Sequence, residues 1–526
     1  MKSSRLTWTV LWILVACSLV GGTLGRYALA TSASHNEDAD STLKTFSQVM
    51  GIIQENYAEP VDPQAAVTSA INGMLRTLDP HSTFFDAKAF SALREEQSGK
   101  YYGVGMTVST RNGKTVVIAP FVGSPAYRAG IRPGDIIARV NDKPTDNLSV
   151  AEVANLLKGP RGTIVKVTIQ RVGSPLPLEF TITRDEIPRR SIDFAYRLKN
   201  DIGYIRINNF NETTDRELAE SLQAIGQDTL KGLVLDLRDN PGGLLNEGVG
   251  VADTFLQKGQ LIVYTKGRSH AEQRFTAPHG NGNHNYPLVV LINSGSASAA
   301  EIVAGAIQDH DRGLIVGEIS FGKGLVQTVY PLDGHTGLAL TVAKWYTPSG
   351  RLIQRDYTHQ SFFDYFYGPK HPAEKPTMIK LTDGGREVYG GGGITPDVKV
   401  ETPTLSPFVT LLLQKYVFFN FTSHYLAEHE KIGKDFVVDE NVIADFRKFL
   451  DSEKVRYTEP DIQHNLKLIQ QTIKYQLFLS QFGQVEAYRI TLDNDEQVQK
   501  AIELMPQAKA LAENARKVVA QRVSVK

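Results

Sequence analysis

The sequence predicts an α/β core joined to a small β-rich module, with helical segments on both sides. Three observations carry this. Leu233-Val234-Leu235-Asp236-Leu237 and Leu288-Val289-Val290-Leu291-Ile292 are apolar runs of the kind expected for strands buried on both faces. Each gives way to glycine and small residues and then to a helical pattern, the order of an α/β unit. Residues 97–186 read as short strands punctuated by glycine, and residues 41–95 and 405–526 read as helices.

Taken from the amino terminus, Lys2 and Arg5 precede an apolar stretch from Leu6 to Leu24, followed by Ala28-Leu29-Ala30. A positive, apolar, then small order over residues 1–30 reads as an export signal. The run is also just long enough to span a bilayer if retained, and Leu14-Val15-Ala16-Cys17 has the form of a lipoprotein cleavage box. Cleaved signal, retained anchor and lipidated Cys17 all put the body outside the cytoplasm, in the periplasm or on the outer face of the cytoplasmic membrane. In 41–95, Val49, Ile52 and Ile53, then Val67, Ile71, Met74 and Leu75, recur at helical spacing around a break at Pro60-Val61-Asp62-Pro63.

Within 97–186, strands are expected at Gly103–Val108, Val116–Ala119, Asp135–Val140, Ile164–Ile169 and Leu178–Ile182, with a helix from Ser149 to Leu157. Residues 190–403 form the α/β core. In 405–526, Ile462, Leu466, Ile469, Ile473 and Leu477 step as one apolar stripe of a helix. The stripe at Leu411–Phe421, interrupted by Gln414 and Lys415, reads as core or as contact with a second copy of the chain, so homo-oligomerisation through these helices stays open.

Composition narrows the function. The 526 residues suggest roughly three or four domains. Lysine plus arginine equals aspartate plus glutamate at 57 each, so no basic field recruits nucleic acid. Cys17 is the single cysteine, which leaves the body without a disulfide or a cysteine metal site. His270, His279 and His284 lie in a polar loop without a spaced acidic partner, and no metal or other cofactor is expected.

Three stretches carry candidate chemistry. In Ser294-Gly295-Ser296-Ala297-Ser298-Ala299-Ala300-Glu301 a buried strand ends, a small-residue turn follows, and a helix begins near Ser298. A serine there meets free backbone N–H groups that can stabilise an oxyanion, although serine is also a favoured N-cap. Ser320-Phe321-Gly322-Lys323-Gly324-Leu325-Val326-Gln327 sets a lysine between glycines ahead of a strand. Positions 323, 325 and 327 share a strand face, so Gln327 can orient the Lys323 amine. A lysine desolvated there has a depressed pKa and can take a serine proton; the plainer reading is a surface lysine in a hairpin. Arg238-Asp239-Asn240-Pro241-Gly242-Gly243 follows the other buried strand. It is either a plain turn or an oxyanion loop in which Gly243 supplies one donor and Ala299 the other. His310 beside Asp309 invites a serine–histidine triad, but the intervening helix carries it roughly 18 Å along the axis from Ser298.

Together the stretches resemble the carboxyl-terminal processing peptidases, the tail-specific serine peptidases of family S41. Their motifs Arg-x-Asn-x-Gly-Gly, Ser-Ala-Ser-Ala-x-Glu and Phe-Gly-Lys-Gly-x-x-Gln match Arg238–Gly243, Ser296–Glu301 and Phe321–Gln327 in order. Ala300 is the one departure. Asp79-Pro80-His81-Ser82-Thr83 and Gly393-Ile394-Thr395-Pro396-Asp397 also recur in that family. In the 97–186 module, Tyr102-Gly103-Val104-Gly105-Met106 resembles the carboxylate-binding loop of a PDZ domain. The resemblance implies a ββα core of the ClpP/crotonase type. It also implies peptide hydrolysis through an acyl-enzyme, with Ser298 as nucleophile, Lys323 as base and Gln327 assisting. Gly243 and Ala299 would form the oxyanion hole, and the amides of Gly103, Val104 and Gly105 would hold the carboxyl terminus of a protein or peptide substrate. Two other classes remain: a peptide-binding scaffold with a dead site, and a general scavenging peptidase whose PDZ domain only gates.

Overall fold

The computed structural model describes residues 40–524 apart from 112, 172, 283, 359, 369–377 and 430. The signal or anchor expected over residues 1–30, Cys17 included, lies outside the described residues. Two compact units divide after Leu78. In the first, residues 40–56 are helical and a second helix runs Pro63–Arg76, capped by the Asp62 carboxylate accepting from the Gln64 amide at 2.9 Å.

The second unit is built on a six-stranded sheet in the order Phe194–Arg197, Ile202–Arg206, Gly232–Asp236, Leu288–Ile292, Leu314–Gly317, Val398–Lys399, parallel after the first pair. The continuous apolar runs are its central strands because both faces are covered. Leu233, Leu235, Val290 and Ile292 face the helices Thr214–Ala224, Leu245–Asp253 and Ala299–Asp309 and a second, five-stranded antiparallel sheet. Val234, Val289 and Leu291 face the other way, onto Leu492, Val498, Leu504 and Met505 near the carboxyl terminus. Period-two alternation along each strand therefore feeds two separate cores.

The sequence division at 403 separates segments that share this packing. Helices Pro407–Gln414, Val417–Glu428, Glu440–Ser452, Glu459–His464 and Leu466–Phe482 surround their own apolar core. Glu496–Glu503 and Met505–Ser524 cover the core sheet instead, and Gln484–Leu492 joins the two, with Ala487 in the helical core and Leu492 against the sheet. Leu412, Val417, Phe418 and Phe421 of the expected stripe are buried within the chain, and Tyr416, at φ 54°, breaks the stripe into two helices. Ile462 sits on a separate short helix ahead of the one bearing Ile469, Ile473 and Leu477.

The segment 79–95 also departs from an all-helical expectation. Thr83–Phe85 is a strand paired with Gly337–Ala339 in the five-stranded sheet. The β-rich module has the antiparallel order Met106–Arg111, Lys114–Pro120, Ile136–Val140, Ile164–Gln170, Leu178–Thr183. Its helix Val150–Leu157 starts in a Ser149/Glu152 capping box. The expected strand Gly103–Val108 is interrupted at Val104-Gly105; Lys100–Gly103 pairs with Asp185–Pro188 instead.

Candidate active site

Three loops leave the carboxyl ends of three adjacent parallel strands, where an open α/β sheet presents its ligand crevice. They follow Gly232–Asp236, Leu288–Ile292 and Leu314–Gly317, and they are the three motif stretches.

The loop after Leu288–Ile292 turns sharply into the helix Ala299–Asp309. Ser298 holds φ 54° and ψ −114°, a conformation that a β-carbon resists and that a tight strand-to-helix turn imposes. The turn is fixed from both sides. Ser296 Oγ donates to the Leu237 carbonyl at 2.7 Å, and the Ala297 amide donates to the Asn240 carbonyl at 2.8 Å. The Phe321 amide donates to the Ser296 carbonyl at 2.8 Å.

The loop after Gly232–Asp236 lies directly on this turn. A β-carbon at Gly242 would sit 2.7 Å from Ser298 Cβ, and one at Gly243 would meet the Phe210 carbonyl oxygen at 1.9 Å. Only glycine fits at these two positions. Asn240 shapes the loop: its side chain accepts from the Gly242 amide and donates to the Ile207 carbonyl, both at 2.8 Å. Among the described residues, the Gly243 and Ala299 amides have no protein acceptor, since Phe210 bonds only the residues either side of Gly243 and Ala299 opens its helix. The loop is also anchored from the carboxyl-terminal layer. Arg238 donates to Asp236 at 2.6 Å, to Asp495 at 2.9 Å and to Gln497 at 2.8 Å.

Lys323 stands in the third loop, before the strand Leu325–Leu332 rather than on it. The strand pairing shifts register between Val326 and Gln327. The extra residue, Val342, lies on the partner strand, and from the loop just ahead of Leu325 Lys323 Nζ donates to Gln327 Oε1 at 3.0 Å. Burial lowers the pKa of Lys323, with the nearby charges of Glu301 and Asp79 opposing the shift. Among the described residues no hydrogen bond joins Lys323 Nζ to Ser298 Oγ; the Lys323 amine bonds Gln327.

One residue that sequence reasoning quoted but gave no role ties the loops together. Glu301 is fully buried. Its Oε2 accepts from the amides of Ser298 at 2.7 Å and Lys323 at 2.9 Å, and its Oε1 accepts from the Gly322 amide at 2.6 Å and Ser320 Oγ at 2.5 Å. Burial raises its carboxyl above the usual range against the pull of those donors. The Ile394 amide donates to Ser320 Oγ at 2.6 Å, so that hydroxyl spends its own hydrogen on Glu301. All four partners thus present hydrogen to a group that can only accept, the pattern of an anion. The Ser-x-x-Glu spacing of a capping box could have flagged the Ser298 half of this tie; nothing local in sequence indicates the Lys323 half.

His310 lies at the far end of the Ser298 helix, bonded to Asp383 and the Leu261 carbonyl, each at 2.7 Å. His279 pairs with Asp253 at 2.9 Å. In the β-rich module, the Val104 carbonyl accepts from the Ala126 amide, and the Gly105 carbonyl accepts from Ser124 Oγ and the Phe121 amide. Among the described residues the amides of Val104 and Gly105 have no protein acceptor. Gly103 differs in ending a paired strand. Met106–Arg111 is an edge strand, and the helix Val150–Leu157 packs beside it.

A peptidase core carrying a PDZ domain is what fold and loops define, and comparison with known proteins bears this out. Residues 201–360 match Peptidase family S41 and 117–171 match the PDZ domain. Residues 21–89 match the activating protease CtpB N-terminal domain, and 408–460 match a probable PDZ-protease C-terminal helical domain. The chain is 40% identical over 345 residues to the carboxy-terminal-processing protease of Bartonella bacilliformis, covering 65% of this chain and 79% of that one. It is 34% identical over 363 residues to the carboxy-terminal processing protease CtpA of Bacillus subtilis, covering 69% and 75%. A solved photosystem II D1 C-terminal processing protease is 29% identical with a TM-score of 0.35, over 68% of this chain and 86% of that one. The chain belongs to peptidase family S41, among the carboxy-terminal processing serine proteases.

Proposed function

We propose that the chain cleaves peptide bonds near the carboxyl terminus of protein substrates with Ser298 as nucleophile and Lys323 as base. The observation that carries this is the shared Glu301 oxygen, which receives the Ser298 and Lys323 amides together. Neutral Lys323, its pKa lowered by burial, accepts the Ser298 proton as Oγ attacks the scissile carbonyl carbon. The oxyanion is received by the free amides of Gly243 and Ala299. The C–N bond then breaks, and the Lys323 ammonium returns its proton to the leaving amine. Lys323 next deprotonates water, which attacks the acyl-enzyme and releases the new carboxylate. Gln327 keeps the amine directed through the cycle.

The PDZ domain reads the substrate's carboxyl terminus. Its edge strand Met106–Arg111 can accept an extended peptide as an added strand, and the open amides of Val104 and Gly105 suit a terminal carboxylate; Gly103 contributes the turn into the loop. The reaction takes place outside the cytoplasm, as the positive, apolar, small order of residues 1–30 supports. Comparing protein carboxyl termini between cells carrying the wild type and Ser298→Ala tests the proposal. Substrates should keep longer carboxyl termini in the mutant, and identical sets of termini would overturn it. A dead scaffold would also give identical sets, and a scavenger would leave whole proteins accumulating rather than extended ends.

A further inference from the structure

The turn Asp79–Ser82 approaches Lys323 from the amino-terminal side of the core, and nothing in the reaction scheme above uses it. Gln327 Nε2 donates to the His81 carbonyl oxygen at 2.5 Å while Gln327 Oε1 accepts from Lys323 Nζ at 3.0 Å. A carbonyl only accepts, so it fixes which end of the Gln327 amide faces it and turns the oxygen toward the lysine. A neutral lysine donating one N–H to that oxygen has its lone pair directed elsewhere.

The carbonyl is itself held. Asp79 Oδ1 accepts from the His81 and Ser82 amides, each at 2.8 Å, and Asp79 Oδ2 accepts from Ser82 Oγ at 2.7 Å. The Thr341 amide donates to Ser82 Oγ at 3.1 Å, and Thr341 is the cross-strand partner of Gln327. The turn is therefore pinned at the register position of the residue it orients. The His81 ring closes the circuit. Its Nε2 bonds Tyr365 Oη at 2.9 Å, Gln354 Nε2 donates to that oxygen at 3.1 Å, and Gln354 Oε1 accepts from the amide of Gly324, the neighbour of Lys323, at 2.8 Å. Burial first, and then the Lys323 charge, lower the His81 pKa to about 3, so the ring stays neutral, and its bond to Tyr365 makes it part of the scaffold.

We infer that the Asp79–Ser82 turn is a positioning element for catalysis, its His81 carbonyl setting the orientation of the Gln327 amide and through it the direction of the Lys323 lone pair. This rests on the Ser298–Lys323 reading and adds residues from a part of the chain far from the three loops.

The test is a double-mutant cycle on the full chain, scored by kcat and KM on fluorescein-labelled casein across pH. Ser82→Ala removes the hydroxyl ties to Asp79 Oδ2 and to the Thr341 amide while leaving the backbone bonds to Asp79 Oδ1, and should lower kcat about tenfold with KM within about twofold. In the Gln327→Ala background the same change should cost less than about twofold, because the group it positions is gone. Ser82→Ala should also move the acid limb of kcat/KM to lower pH, since an amine that loses a hydrogen-bond acceptor is easier to deprotonate. The charges facing that amine, Glu301 and Asp79, are unchanged in the variant. Ser82→Thr should restore both values. Tyr365→Phe, which deletes one hydroxyl and leaves the turn's own bonds intact, is the second arm should Ser82→Ala fold poorly, and it should show the same non-additivity. Equal losses in both backgrounds would overturn the inference and leave the dyad standing. A Gln327→Ala enzyme with wild-type kcat would overturn the role of Gln327 and this inference with it.

Discussion

Replacing Glu301 by glutamine changes one atom at the centre of the site. Whichever way the new amide rotates, its nitrogen meets a backbone N–H that cannot accept: Gly322 if it takes the Oε1 position, Ser298 and Lys323 if it takes the Oε2 position. Losing a hydrogen bond to a charged group costs about 1.5–3 kcal/mol, and a buried donor left unpaired costs about 1–3 kcal/mol more. The structure therefore predicts a loss of about 2.5–6 kcal/mol in a region shared by nucleophile and base. If only about 3 kcal/mol of this reaches the barrier for acylation, the reaction slows roughly a hundredfold. The assay is the rate of covalent labelling by a fluorophosphonate, with thermal unfolding followed in parallel. Glu301→Gln should label at least about a hundredfold more slowly and unfold at a lower temperature. Removing the Glu301 charge should also lower the Lys323 pKa further, shifting the acid limb of the residual activity to lower pH. Wild-type labelling and an unchanged unfolding midpoint would refute the tie between the loops.

Lys323→Arg should be nearly as inactive as Lys323→Ala in peptide hydrolysis, since a guanidinium keeps the charge but does not deprotonate in proteins; retained turnover would remove the lysine as base. In the wild type, kcat/KM should rise with pH along a limb centred below 10.5, the ordinary lysine value, because only the neutral amine accepts a proton and burial favours that form. Amidating the carboxyl terminus of a good peptide substrate should lower turnover below saturation by roughly ten- to a hundredfold, the loss of one charge-assisted bond. Deleting residues 97–186 should abolish that difference, and equal rates for acid and amide with the intact enzyme would sink the carboxylate reading.

Much of the architecture was legible because buried parallel strands declare themselves as unbroken apolar runs, as Leu288–Ile292 does. The three loops were legible because each carries residues with a narrow chemical use. What escaped was long-range. Apolar spacing along a helix cannot say which surface that helix covers, so Val498, Leu504 and Met505 gave no sign that they roof the core sheet. The strand begins only at Leu325, so Lys323 reaches Gln327 from the loop ahead of it rather than from the shared strand face that the spacing suggests. Glu301 was hidden by a pattern that also fits an ordinary helix cap. The Asp79–Thr83 stretch was legible as a motif, but the bond from Gln327 is made to the His81 carbonyl, a group every residue has, and so no side-chain pattern indicated it.

The central claim is that Ser298 is the nucleophile, and mass-spectrometric mapping of the fluorophosphonate adduct tests it most directly. The Ser298 turn, with its positive φ and open Ala299 amide, should carry the adduct in the wild type. Lys323→Arg should lose the adduct while remaining folded. An adduct on any other residue, or hydrolysis that continues undiminished in Ser298→Ala, would contradict the account.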